Sequence, residues 1–414
     1  MIAYHKHTLS NGLKVLIEQD RSTTMSAINV LYQVGSKNEH QDKTGFAHLF
    51  EHLMFGGSDH APDFDEPLQM AGGENNAFTN NDYTNFYDSV PIQNIETALW
   101  LEADRMANLT LNQKSLDVQK KVVTEEFKEV CLNKPYGDAW HHMSSLCYKK
   151  HHYQWPTIGK DISHIRDASV ADARAFYNNY YHPNNAILSI SSPLSHPEII
   201  DLCDKWFGDL AQTTEAHITQ GPQEPQQTAY REKTIYGDVP SPMVLMAFHM
   251  PGRTAKDYCS CDLISDILAN GKSCRFYQSL IKEKEIFSDI DCYISGSVDT
   301  GLLIIEGRPM PNIDIQESIK HVWEQLEHIK TSTIKERELQ KLKNKVISSL
   351  CLSDLSIMSK SMSMAYFEHL GQIELMNEQE RIYESVSSED ILASANRYLR
   401  EENLNVLYYL PKEK

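Results

Sequence analysis

Gly45-Phe46-Ala47-His48-Leu49-Phe50-Glu51-His52-Leu53-Met54-Phe55 sets His-x-x-Glu-His inside an apolar run that reads as a helix. At 3.6 residues per turn, His48 and His52 leave the same helical face and can share one Zn²⁺. Glu51 adjoins His52 and lies one turn from His48, so it sits beside a metal without having to bind it. A general base for an attacking water belongs in that position.

A catalytic zinc takes three protein ligands and keeps one position open, so two histidines are not enough. Candidates gather between Leu116 and Val130, where Leu116, Val118, Val122, Val123, Phe127 and Val130 recur at helical spacing. Glu125, Glu126 and Glu129 compete there. On a wheel of ~100° per residue with Leu116 at zero, the apolar residues span ~200° to ~20° and Glu126 falls inside that arc at ~280°. Glu125 and Glu129 fall toward its edge, at ~180° and ~220°. A carboxylate on a buried face needs a compensating partner, and Zn²⁺ is one. Glu126 is therefore the expected third ligand, for one zinc per chain.

The chain around this segment has 414 residues, 41% of them hydrophobic, and suits two domains of about 200 residues each. A formal charge of −18 argues against nucleic acid or an anionic membrane as partner, since both require basic surface. The opening residues lack an apolar h-region, so no secretory leader is expected, and no run of apolar residues is long enough for a membrane span. The eight cysteines are scattered without Cys-x-x-Cys pairs and read as reduced thiols of a cytoplasmic protein.

Residues 211–229 are rich in Gln and Pro and poor in apolar side chains, which marks a linker between an N-terminal domain at 1–210 and a C-terminal domain at 230–414. The halves echo one another. Ser169-Val170-Ala171-Asp172 through Tyr180 to Asn185 and Pro193 matches Ser387-Ser388-Glu389-Asp390 through Tyr398 to Asn403 and Pro411, at a constant offset of 218 (398 − 180). In each copy a helix ending in Tyr leads through an Asn turn into an apolar strand. Upstream, the strand Ala27–Gly35 and the motif helix are echoed by Met243–Met250 and a helix through Asp262–Leu268, without His-x-x-Glu-His. The expected fold class is α+β: two similar sandwich domains related by internal duplication, with helices packed on a mostly antiparallel sheet.

His48-x-x-Glu51-His52, Val122-Val123-Thr124-Glu125-Glu126, and Gly72-Gly73-Glu74-Asn75-Asn76-Ala77-Phe78-Thr79 followed by Asp82-Tyr83-Thr84-Asn85-Phe86-Tyr87 together resemble the inverzincin metallopeptidases: pitrilysin, insulysin and the mitochondrial processing peptidase. Length and two-half layout are similar to the processing-peptidase subfamily. The resemblance implies a zinc endopeptidase acting on peptides or unfolded segments, with Glu51 as the base and His48, His52 and Glu126 as metal ligands. It also implies that Asn76, Ala77, Phe78 and Thr79 form a sheet edge to which substrate adds as a strand. Where the family usually has a further acid seven residues before the third ligand, this chain has Gln119, which can hydrogen-bond but carries no charge.

A second departure lies downstream. Arg275-Phe276-Tyr277-Gln278 matches a family run that continues as Arg-x-x-x-Gly-Leu-Ala-Tyr, but here Ile281 and Ser288 stand at the Arg and Tyr positions. Neither side chain can bind a substrate carbonyl or steady an oxyanion. The resemblance therefore implies the catalytic subunit of a heterodimer whose homologous partner supplies Arg and Tyr. The alternative is a non-catalytic assembly or peptide-binding subunit of the same fold.

Overall fold

A computed structural model of the chain describes residues 1–213 and 221–412; part of the expected linker, 214–220, lies outside them. The chain forms two compact units. The first comprises Met1–Phe127, Trp155–Gly221 and Leu350–Glu378, and the second Lys128–Gln154, Pro222–Ser349 and Gln379–Lys414. Among the described residues, no helix is long and apolar enough to cross a membrane.

The first unit is built on six strands: β1 (Tyr4–Thr8), β2 (Lys14–Gln19), β3 (Met25–Tyr32), β4 (Glu74–Thr79), β5 (Thr84–Pro91) and β6 (Ala186–Ser192). Their order is β1-β2-β6-β3-β5-β4, with β2 and β6 parallel and the other neighbours antiparallel. The central strands β3 and β6 are buried nearly throughout, on both faces, including the serines of β6. On one face Val15, Ile28, Val30, Leu188 and Ile190 pack with the motif helix Phe46–Met54 and with the helices Ile95–Asn108, Val170–Tyr180 and His196–Phe207. On the other, Leu16, Leu31 and Ile187 meet Met364, Ala365 and Phe367 of the helix Ile357–His369.

The second unit has five strands: β7 (Arg231–Gly237), β8 (Met243–Met250), β9 (Phe287–Ile294), β10 (Gly301–Pro309) and β11 (Leu404–Pro411), ordered β7-β11-β8-β10-β9. Here β7 and β11 make the parallel pair. Without β1 the first sheet has the same order and the same single parallel pair, as a duplication requires. The repeat is visible in atomic detail. Ser169 and Asp172, and again Ser387 and Asp390, close reciprocal capping boxes, each satisfying two backbone donors at a helix start. The Asn185 amide donates to the Tyr180 carbonyl at 2.8 Å, and Asn403 repeats the bond to Tyr398 at 2.8 Å.

Each sheet has one face covered by a helix from the other half of the sequence. The helix Ala139–Cys147 packs on β7, β8 and β11 of the second unit, while Ile357–His369 lies on β2, β3 and β6 of the first. The latter is anchored along its length within the first unit. Lys360 reaches Glu18 at 2.8 Å and Asp20 at 2.5 Å, Ser361 and Ser189 exchange hydroxyl-to-carbonyl bonds at 2.7 Å, and Glu368 accepts Lys6 and Lys14 at 2.8 Å.

The motif helix starts at Gly45, whose φ of 87° is a conformation that favours glycine. A β-carbon there would fall 2.8 Å from the Ile158 carbonyl oxygen and 2.9 Å from the Ile165 side chain. Gly45→Ala should cost about 1–3 kcal/mol of stability, read as a lower denaturant midpoint; an unchanged midpoint would mean that the backbone relaxes at no cost. A second expectation concerns acid. The Lys360 hydrogen bond is the main cause that lowers the Asp20 carboxyl from 3.8 to about 2. The folded state then binds this proton more weakly than the unfolded chain, so the stabilisation is complete above the unfolded value and is lost as pH falls toward 2. Lys360→Met should flatten this part of the melting-temperature profile between about pH 4 and 2; an identical acid limb in the variant would remove the pair as its cause.

Candidate metal centre

The helix Phe46–Met54 buries Phe46, Ala47, Leu49, Phe50, Leu53 and Met54, and this apolar face turns His48, Glu51 and His52 to the opposite side. Their partner comes from the helix Gln113–Phe127, which packs along the motif helix. A Glu126 carboxylate oxygen lies 3.3 Å from Nε2 of His52 and 3.7 Å from Nε2 of His48. One donor atom from each of the three falls within 4.8 Å of the others, and among the described residues no other group of three or more His, Cys, Asp or Glu side chains is so arranged.

Two nitrogens and one oxygen suit zinc. Bonds of about 2.0–2.2 Å in a tetrahedron put ligand atoms about 3.4 Å apart, close to the spacing around Glu126. Protonation is also suitable. Burial pushes the His48 imidazole below the usual histidine range, favouring the neutral ligand form against the pull of Glu126. The hydrogen bond from His52 holds Glu126 below the usual carboxylate range. A metal requires both of these forms. The residues present therefore fit zinc, with three protein donors.

Glu126 arrives by a different face from the one its helical wheel suggests. Leu116, Val123 and Phe127 are buried, but Val118 and Val122 are about half exposed, at 50% and 46%, and Glu126 itself is partly open to solvent. The helix lies at the surface and buries only a narrow strip. Val130 falls outside the α-helix altogether, because Lys128–Asn133 widens into a π-turn. Glu125 and Glu129 are exposed. Gln119 lies beside the C-terminal end of the motif helix, with its amide 3.7 Å from where a β-carbon on Gly56 would sit.

Glu51 stands outside the trio and accepts a 2.6 Å hydrogen bond from the Thr79 hydroxyl. Thr79 ends β4, the outermost strand, which pairs with β5 from Glu74↔Ser89 to Thr79↔Thr84 and has no other strand beside it among the described residues. The edge is partly self-occupied. The Ala77 N–H donates to the side-chain oxygen of its own neighbour Asn76 at 2.8 Å. Phe78 packs edge-on against Tyr83, with ring centroids 5.7 Å apart.

In the second unit, Ile281 lies in a π-helical turn, Tyr277–Glu283. Exposed Ser288, the second residue of β9, donates to Asp289 and to the Arg308 carbonyl. Glu285, at the motif's glycine position, keeps a left-handed φ of 51°. Backbone shape there has outlasted the residue that favours it.

Sequence reasoning passed over Glu39. It is 2% exposed, and its carboxylate accepts the Gly45 N–H at 2.9 Å, the Ala47 N–H at 2.8 Å and the Trp155 indole N–H at 3.1 Å. One signal was present: the motif helix has Gly45 where Ser, Thr, Asp or Asn usually caps, so its orphan donors had to find an acceptor elsewhere.

The family profile described as Insulinase (Peptidase family M16) matches residues 14–161, and the one described as Peptidase M16 inactive domain matches 167–346. The chain is 28% identical over 411 residues to a protein named zinc protease PqqE of Helicobacter pylori, covering 98% of this chain and 92% of that one. It is 21% identical to the mitochondrial-processing peptidase subunit beta of Blastocladiella emersonii, over 98% and 88% of the two chains. A crystal structure of a protease from Helicobacter pylori superposes with a TM-score of 0.94 at 26% identity, covering 99% of this chain and all of the other. Two profiles in tandem, a shared architecture and relatives named as zinc proteases agree: the chain belongs to peptidase family M16.

Proposed function

We propose that the chain is a zinc-dependent endopeptidase that takes peptides or unfolded segments as an added strand on β4. The observation that carries this reading is the convergence of His48, His52 and Glu126 on one point, with Glu51 beside them and bonded to the edge strand through Thr79. When bound, one zinc ion would act as a Lewis acid on the scissile carbonyl and on the attacking water.

The chain's own residues do the rest. Main-chain hydrogen bonds along β4 align an extended substrate with little regard for its sequence. To pair at Ala77, the peptide displaces the Asn76 side chain from that N–H, which frees the Asn76 amide to bond the substrate. Glu51 takes the proton of the water as it attacks and returns it to the leaving amine, and Thr79 orients the carboxylate for both transfers. Gln119, near Gly56, contributes hydrogen bonding without charge.

A homologous second subunit completes the site, in this reading. Ile281 has no hydrogen-bond donor and Ser288 spends its hydroxyl on Asp289 and the Arg308 carbonyl, while the metal trio is intact, as suits one half of a heterodimer. The same two residues favour the second reading, a peptide-binding or assembly subunit without turnover. Free cysteines throughout, seven of them buried, suit a reducing compartment such as the cytoplasm.

Glu51→Gln should keep zinc at wild-type stoichiometry and lower cleavage of an unstructured peptide by about 10²–10⁴-fold, the usual worth of a general base. Undiminished cleavage by the zinc-loaded variant would remove Glu51 from that role. Purification from the native source should bring down a relative with the Arg/Tyr segment and no His-x-x-Glu-His, and adding it should raise turnover. Full activity of the lone chain would exclude the need for a partner, whereas stoichiometric zinc and peptide binding without cleavage by the pair would establish the second reading.

A further inference from the structure

The first turn of the motif helix raises an electrostatic difficulty for the metal centre. His48 is the third residue of the helix Phe46–Met54, so a dication on its imidazole sits close to the helix N-terminus, which carries about half a positive charge. The two repel. Gly45 brings no capping side chain, and the first turn contains no acidic residue. Among the described residues, the only carboxylate bonded to the amides at this end is that of Glu39, from the loop after β3, which reaches across to Gly45 and Ala47.

The surroundings of Glu39 make up a built site. The side chain is 2% exposed and the Trp155 ring over it 1%. The Trp155 indole N–H bonds both the Glu39 carboxylate and the Ser36 carbonyl at 3.1 Å, which ties the loop, the carboxylate and the helix into one unit. Among the described residues no cation lies within bonding distance of the carboxylate, which accepts from N–H donors. A buried carboxylate without a counter-ion is costly: burial pushes this one up to about 8 although the Ala47, Gly45 and Trp155 bonds pull it down, so the metal-free chain holds it largely neutral near pH 7, and a dication nearby would favour its ionised form. For helix stability alone, a neutral Ser or Asn cap would have served.

We propose that Glu39 is a positioning residue of the metal centre: its carboxylate offsets the positive helix terminus so that a dication can be held on His48, and it fixes the rotation of the helix that aims His48 and His52 at Glu126. The inference rests on the reading of that trio as zinc ligands. Ala47, which Glu39 holds through its N–H, immediately precedes His48, so the distance from cap to ligand is a single residue. Such supporting groups govern metal affinity through charge and orientation without touching the ion.

The test compares zinc dissociation constants, measured by chelator competition, with the unfolding midpoints of the metal-free proteins. Glu39→Gln keeps the shape and loses the charge; Trp155→Phe keeps the charge and loses one hydrogen bond and some packing. Glu39→Gln should weaken zinc by about 10–100-fold, and Trp155→Phe by less than about 3-fold even where it costs as much stability. Zinc affinity of Glu39→Gln within about 2-fold of wild type, or equal losses in the two variants at matched stability, overturns the proposal. Should Glu39→Gln fail to fold, Glu39→Asp decides: this charged variant should bind within about 5-fold of wild type, and a folded Glu39→Asp that loses zinc by more than about 10-fold refutes the charge argument. A wild-type chain that takes up no zinc removes the metal centre itself, and the proposal with it.

Discussion

The helix Phe46–Met54 must bury one face against a sheet while holding two imidazoles and a carboxylate in fixed directions on the other, and the candidate site depends on how these demands are met. Phe46, Leu49, Phe50, Leu53 and Met54 pack into the first core, which leaves the helix little freedom to roll. Its start is set by Gly45 at φ 87° and by the Glu39 carboxylate. Its end is set by Phe55, where the buried Arg105 guanidinium sits 5.3 Å from the ring centroid while stacking at 4.2 and 4.3 Å over Phe64 and Phe86. Arg105 is itself paired with buried Glu102, so no charge is left uncompensated there. A helix held at both ends can present donor atoms to within a few tenths of an ångström, which three-point coordination demands.

Duplication supplied the frame and then the two copies diverged. Both sheets share one strand order and one parallel pair, and both close through the same Ser–Asp capping box and Asn-to-Tyr bond. These features satisfy backbone groups, so any copy that folds must keep them. The side chains that face away from the cores carry no such obligation. The helix Tyr258–Ala269 of the second unit carries no histidine, and its Asp262 accepts the Tyr383 hydroxyl at 2.5 Å.

The same distinction explains what could be read from the sequence. The paired histidines, the offset of 218 and the linker composition are local or periodic signals, written in neighbouring residues. Nothing local in the sequence says that the helices Ala139–Cys147 and Ile357–His369 each cover a sheet formed mainly by the other half of the chain. That follows from β3 and β6, and from β8 and β11, being buried on both faces, a demand that spans hundreds of residues of sequence. Glu126 was selected from a helical wheel that assumed a wide buried arc. The structure brings it to the histidines along a half-open flank, with Val118 and Val122 turned outward. Periodicity located the helix and not its depth.

Glu39 was illegible for a related reason. A glutamate in a polar loop, Ser36-Lys37-Asn38-Glu39-His40, reads as solvated surface, because burial of a lone carboxylate is costly and therefore rare. The cost becomes tolerable only where several donors converge, and those donors are the amides at Gly45 and Ala47 and the indole of Trp155, 116 residues further along the chain. Buried polar groups of this kind arise from tertiary structure and leave no local pattern, and they tend to cluster where function asks for something that packing alone would not select. In this fold the most deeply buried acid bonded to the motif helix lies under its first turn, at the one end where a helix holding a dication would otherwise repel it.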